Sequence, residues 1–130
     1  MDENENENES DKKSGRMRFI QSRLPTELYE WLRLRGFLLR RSMNSIVLEA
    51  ITEYRRAVDA GDVTPSKDGI ARDETIKYNV RVDDDLYEWL RTNAFYARLS
   101  INVIFVSALV RYRDAHPDTP AGDGGIRRAM

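Results

Sequence analysis

The chain has 130 residues, 33% of them charged and 41% hydrophobic, which leaves room for one compact domain or two very small ones and excludes two large ones. It holds no cysteine and a single histidine, His116, so a disulfide framework, a thiolate metal site and a cysteine nucleophile are ruled out and a reducing cytoplasm is the expected compartment. The formal net charge of −1 speaks against a polyanionic partner, because nucleic-acid binders usually carry a basic excess.

Residues 1–11 are an Asn/Glu alternation with a charge of −6 and no base. Such a segment cannot bury enough apolar surface to offset the cost of ordering it, so residues 1–15 are expected to form a disordered acidic tail. An acidic start also lacks the positive n-region of a signal peptide. The longest apolar run, Ile101 to Val110, is interrupted by Asn102 and Ser107 and falls far short of the roughly 20 residues that cross a bilayer. Beyond the tail the charge reverses. Lys12 to Arg56 carries +7 and Ile76 to Arg113 carries +2, with Ala57 to Thr75 at −3 between them and Asp114 to Met130 at −1 behind. The near-neutral total is therefore made of two basic segments and the acidic stretches around them.

The basic segments are copies of one another. A shift of 58 residues sets Leu28-Tyr29-Glu30-Trp31-Leu32-Arg33 on Leu86-Tyr87-Glu88-Trp89-Leu90-Arg91 without a gap. In the same register Arg23 meets Arg81, Phe37 meets Phe95, Arg40 meets Arg98, Ser42 meets Ser100 and Asn44 meets Asn102, and 15 of the 38 positions from 18 to 55 are identical. Chance does not give that. The chain divides into a first repeat at 16–60, a linker at 61–75 marked by Gly61, Pro65 and Gly69, a second repeat at 76–114, and a flexible tail at 115–130.

Each repeat opens on an alternation that predicts a short strand. Phe19, Gln21 and Arg23 alternate with Ile20, Ser22 and Leu24, a pattern weakened by Ser22 on the apolar side. In the copy, Lys77, Asn79 and Arg81 alternate cleanly with Tyr78, Val80 and Val82. A helix should follow, with Pro25 at its first turn or Asp83-Asp84-Asp85 at the positive end of its dipole. Its inward face is expected to hold Leu28, Trp31, Leu32, Gly36 and Leu39, matched by Leu86, Trp89, Leu90, Ala94 and Ala97. A second helix starts behind the capping hydroxyl of Ser42 or Ser100. Met43, Ile46, Val47, Ala50, Ile51 and Tyr54 then keep 3,4 spacing, as do Ile101, Ile104, Phe105, Ala108, Leu109 and Tyr112. A unit of about 40 residues cannot bury its own apolar faces, and a lone strand leaves both edges unpaired. The other copy can supply what is missing, the strands pairing antiparallel while four helices close over a shared core. The linker, extending to about 50 Å, is long enough to allow it.

This order of elements resembles the ribbon-helix-helix family of DNA-binding proteins, the Arc and MetJ type, in two tandem copies over residues 18–58 and 76–114. The features that carry the resemblance are the strand ending Arg23-Leu24-Pro25 (Arg81-Val82-Asp83 in the copy), the first helix, and the turn Arg41-Ser42-Met43-Asn44-Ser45. It implies a mainly α fold with a short two-stranded antiparallel ribbon, the two copies forming an intrachain pseudo-dimer. It also implies that the ribbon enters a major groove, with Phe19, Gln21 and Arg23 reading bases from one strand and Lys77, Asn79 and Arg81 from the other. Phosphates would be held at the second helix by Ser42, Asn44, Ser100 and Asn102, with Arg40, Arg41 and Arg98 as further cations toward the backbone. Two positions depart from the family. Arg40 and Arg98 stand where Gly is usual, so the turn is either built differently or strained. Phe19 stands where a polar reader is expected, and could meet a thymine methyl, pack on the tail or read little. Because the two strands differ, one chain is expected to read an asymmetric site.

The plainer readings are that both Trp are core, that Ser42 and Ser100 are caps first, that the polar strand faces and the arginines are merely solvated, and that His116, beside Pro117, is a surface residue. The functional expectation is a cytoplasmic, sequence-specific binder of double-stranded DNA, most simply a transcriptional repressor. No catalysis, cofactor, metal, membrane or small-molecule substrate is expected, and the sequence leaves self-association on adjacent DNA sites open. Alternatives are an accessory factor for plasmid transfer, partition or recombination; an antitoxin, for which the 17 residues after Arg113 offer few apolar anchors; and a protein-interaction module on the same fold.

Overall fold

The computed structural model of the protein describes residues 17–67 and 74–117. The acidic tail expected at 1–15, the middle of the linker and the C-terminal tail beyond 117 lie outside the described residues. Two strands and four helices run in the order β1 (Met17–Pro25), α1 (Thr26–Leu39), α2 (Met43–Asp59), β2 (Thr75–Asp83), α3 (Asp84–Ala97) and α4 (Ile101–Ala115). The fold is mainly helical with one two-stranded antiparallel sheet. The first residues of β2, α3 and α4 each follow those of β1, α1 and α2 by 58, so the sequence repeat is also a repeat of elements. Among the described residues, no single helix is long and apolar enough to cross a membrane.

Pairing of β1 with β2 sets Gln21 opposite Asn79, with Met17 opposite Asp83 at one end and Pro25 opposite Thr75 at the other. The pleat sends alternate side chains to opposite faces. Ser22, Leu24, Val80 and Val82 are buried, whereas Phe19, Gln21, Arg23, Lys77, Asn79 and Arg81 are exposed. A two-stranded ribbon is marginal by itself, and here its inner face is covered by one core that draws Leu28, Trp31 and Leu32 from α1, Leu86, Trp89 and Leu90 from α3, and Ile46, Ile51, Ile104, Phe105 and Leu109 from α2 and α4. The most extensive helix–helix packing is between α2 and α4. Each Trp packs edge-on against the second-helix Tyr of the other repeat: Trp31 on Tyr112 at 5.9 Å and Trp89 on Tyr54 at 6.4 Å between ring centroids.

Some inward positions differ from the sequence expectation. Leu39 lies in the last turn of α1 and is exposed, Ala97 at the end of α3 is half-buried, and Arg35 is buried one turn earlier than Leu39. Val106, not expected in the core, is buried because α4 is covered on more than one side. Pro25 is the residue before α1 rather than in its first turn, and the Thr26 N–H donates to the Glu74 carbonyl at 3.1 Å. In the copy, the Asp83 carboxylate caps α3 by accepting from Leu86 N–H at 2.8 Å.

The α1–α2 and α3–α4 turns are the same. Arg40 and Arg98 both adopt the left-handed conformation, φ 58° and ψ 44°. The Arg40 N–H donates to the Phe37 carbonyl and the Arg41 N–H to the Gly36 carbonyl, and Arg98 and Leu99 repeat the pattern onto Phe95 and Ala94. This pair of bonds is the Schellman closure, whose left-handed position usually falls to Gly. The turn is thus built as a glycine would build it, with arginine in the glycine's place.

Candidate nucleic-acid interface

The centre of the ribbon's outward face holds three cross-strand pairs, Phe19 with Arg81, Gln21 with Asn79, and Arg23 with Lys77, with exposed Met17 and Thr75 at its two ends. All six side chains are exposed. Because Gln21 and Asn79 are equivalent positions, the centre of the repeat passes through that pair, and Arg23 and Arg81 fall at opposite ends. Among the described residues, the side chains of Arg23, Lys77 and Arg81 form no ion pair. The face therefore offers three cations, two amides and a phenyl ring at the spacing of a pleated strand. Amides match the donor and acceptor of adenine in a major groove, cations the two acceptors of guanine, and a phenyl the thymine methyl.

The second-helix N-termini stand beside this face, one at each end. Ser42 caps α2 by accepting from Ser45 N–H at 3.0 Å, and Ser100 caps α4 by accepting from Val103 N–H at 3.1 Å. Asn44 and Asn102 have a different role from the phosphate contact expected of them. The Asn44 carboxamide accepts from Arg81 N–H at 2.8 Å and donates to the Arg81 carbonyl at 3.1 Å. Asn102 does the same to Arg23, at 2.8 and 3.3 Å, and also accepts from the buried Ser22 hydroxyl at 2.7 Å. Both amides are spent on the outer backbone edges of the ribbon, where strand groups would otherwise lack partners. The consequence is positional: each tether ties a helix start, with its free N–H groups and positive dipole end, to the strand at Arg81 or Arg23.

Arg41 also differs from expectation. Its guanidinium donates to the Ser45 hydroxyl at 2.7 and 3.1 Å and pairs with Glu49, so it is held on its own helix rather than offered as a free cation. Arg40 and Arg98 are exposed. Sequence reasoning missed the use of Arg35, which is buried under Trp31 and donates from Nε to the Tyr112 hydroxyl at 2.8 Å. Tyr112 in turn donates to Glu49 at 3.3 Å. Burial opposes ionisation of Glu49, but Arg41, Tyr112 and Arg35 outweigh it and hold the carboxyl below its ordinary range. Burial pushes the Tyr112 hydroxyl up despite Arg35. The second repeat carries Leu99, Ser107 and Asn93 where Arg41, Glu49 and Arg35 stand, so this network, which joins the two repeats through Tyr112, has no counterpart around Tyr54.

His116 is less isolated than its sequence context suggests. It comes together with Glu49 and Glu53, one ligand-type atom of each lying within 4.8 Å of the others, and its Nδ1 is 2.8 Å from the Tyr112 carbonyl. Glu49 already serves Arg41 and Tyr112 there, and a divalent cation would meet those guanidinium charges. Elsewhere Phe37, Phe95 and Tyr96 are exposed near the C-terminal ends of α1 and α3. Comparison with family models, curated proteins and solved structures finds no match to the chain.

Proposed function

We propose that the chain is a sequence-specific binder of double-stranded DNA that lays the β1–β2 ribbon in a major groove, and that it acts as a transcriptional repressor by occupying a promoter. In this reading the two repeats are ribbon-helix-helix units joined as an intrachain pseudo-dimer, and no catalytic step or cofactor is involved. The observation that carries it is the division of the ribbon: Ser22, Leu24, Val80 and Val82 inside, and a face of Gln21, Arg23, Lys77, Asn79, Arg81 and Phe19 outside with its cations unpaired. A solvated surface strand does not need two tethered helix N-termini beside it, whereas a groove-binding ribbon uses them to meet the flanking phosphates. The cytoplasm is the compartment this function requires. Self-association on adjacent sites belongs to the same proposal, with exposed Phe37 and Phe95 as its apolar surface.

The test is salt-dependent binding to a duplex selected from random sequence. Arg23→Ala and Arg81→Ala should each cost about 1–3 kcal/mol of affinity for the selected duplex and leave the melting temperature unchanged, since both side chains are exposed. Unaltered binding in both variants would move the readout away from these arginines, and no salt-sensitive binding of the wild type to any selected duplex would favour a protein-interaction module.

A further inference from the structure

The two ends of the ribbon are not equivalent, and within the three central cross-strand pairs the difference in kind falls at one pair of positions. The outer cross-strand pairs are Phe19–Arg81 and Arg23–Lys77, with Gln21–Asn79 between them. Arg23 and Arg81 correspond in the repeat, as do two amides at the centre, which leaves Phe19 against Lys77. Phe19 is 71% exposed, a phenyl ring kept off the core on the same face as five polar side chains. Of the groups on a major-groove floor, the thymine C5-methyl is the one a phenyl complements, whereas an ammonium complements guanine O6 and N7.

Resting on the DNA-binding reading above, we infer that the ribbon is directional: one chain binds its site in a single orientation, Phe19 covering a thymine methyl at one end and Lys77 facing guanine at the other. Successive outward side chains on a strand are about 7 Å apart, close to two base-pair steps of about 3.4 Å each. The base pairs that break the symmetry therefore lie about two steps to either side of the centre read by Gln21 and Asn79. The arginines at both ends keep the remaining contacts alike, so the asymmetry is local rather than spread along the site.

The experiment is selection from random duplex with the full chain and with Phe19→Lys, followed by a deoxyuridine scan of the selected duplex. The wild-type consensus should be non-palindromic, and Phe19→Lys should make its two arms alike. Replacing thymine by deoxyuridine removes the C5-methyl alone. At one position this should weaken wild-type binding about fivefold and leave Phe19→Ser indifferent. A consensus with a perfect dyad, or a scan that is flat at every thymine, overturns directionality and leaves DNA binding standing. Failure of the wild type to enrich any sequence overturns the DNA reading and directionality with it. Should either variant fold poorly, the wild-type consensus and its scan decide the matter alone.

Discussion

Arg40 and Arg98 sit in the left-handed region at φ 58°, which a side chain with a Cβ occupies at a cost of about 1–2 kcal/mol. Glycine would remove that cost, less about 0.5–1 kcal/mol for its greater freedom in the unfolded chain. Both repeats nevertheless carry arginine there, one position before the Arg41-Ser42 and Leu99-Ser100 starts of α2 and α4. On the proposed reading a cation beside a helix N-terminus that meets phosphate is a reason to retain the strain. Arg40→Gly and Arg98→Gly should each raise stability by about 0.5–1 kcal/mol in urea unfolding. Each should also weaken DNA binding at all sequences alike and lower the slope of log affinity against log salt by about one. Raised stability with an unchanged salt slope would show that the arginines are tolerated there rather than used. The sequence alone could mark the missing glycine but not its outcome, because a Schellman turn is defined by bonds onto the preceding helix, here from Arg41 to Gly36, and not by the identity of the turn residue.

At the scale of elements, the ribbon is an exposed pair of strands whose edges are tied down by single asparagines from the opposite repeat. Asn44 and Asn102 each satisfy one N–H and one carbonyl of a ribbon strand, and Asn102 also accepts from the Ser22 hydroxyl, in a residue that is 1% exposed. Asn44→Ala should cost about 1–2 kcal/mol of stability. Asn102→Ala should cost more, about 2–3 kcal/mol, because a buried hydroxyl loses its acceptor as well. Ser22→Val combined with Asn102→Ala should recover part of that difference, Val being what β2 carries at the equivalent Val80. Phosphate anchors would behave otherwise: both variants would melt as the wild type does and lose affinity for DNA. The element order, the inward and outward strand faces and the starts of α2 and α4 were legible in the sequence, since each depends on local periodicity and on a cap within three residues. The tethers were not. An Asn in the first turn of a helix has the same local signature whether it meets an anion or a strand, and the partner of Asn44 lies 37 residues away. Arg35 was missed for a like reason, since its burial depends on Tyr112, 77 residues along the chain.

For the whole molecule, the net charge of −1 conceals where the charge stands: unpaired cations lie along the ribbon face, while Arg18, Arg41 and Arg55 are matched to carboxylates elsewhere. Long-range attraction to DNA should then be weak and the specific contacts few. The contacts that hold the molecule together are reciprocal across the 58-residue shift, Trp31 on Tyr112 with Trp89 on Tyr54, and Asn44 on Arg81 with Asn102 on Arg23. Neither repeat can satisfy its own ribbon edge or its own Trp, so each must fold on the other. Joining them in one chain replaces a bimolecular association by an intramolecular one, with an effective concentration in the millimolar range for a short linker. The melting temperature should therefore stay constant over about a hundredfold dilution, whereas a dimer that exchanged repeats between chains would melt lower as it was diluted. The same comparison separates the two kinds of association that the exposed surfaces allow. Replacing Phe37 and Phe95 by Ser should leave the melting temperature and single-site affinity unchanged, because both rings are exposed at 78% and 76%. It should, however, abolish any cooperativity between neighbouring sites on DNA. A dilution-dependent melt that these two substitutions remove would place the association at the exposed Phe37 and Phe95 surfaces of internally paired chains, whereas one that survives them would count against pairing within one chain.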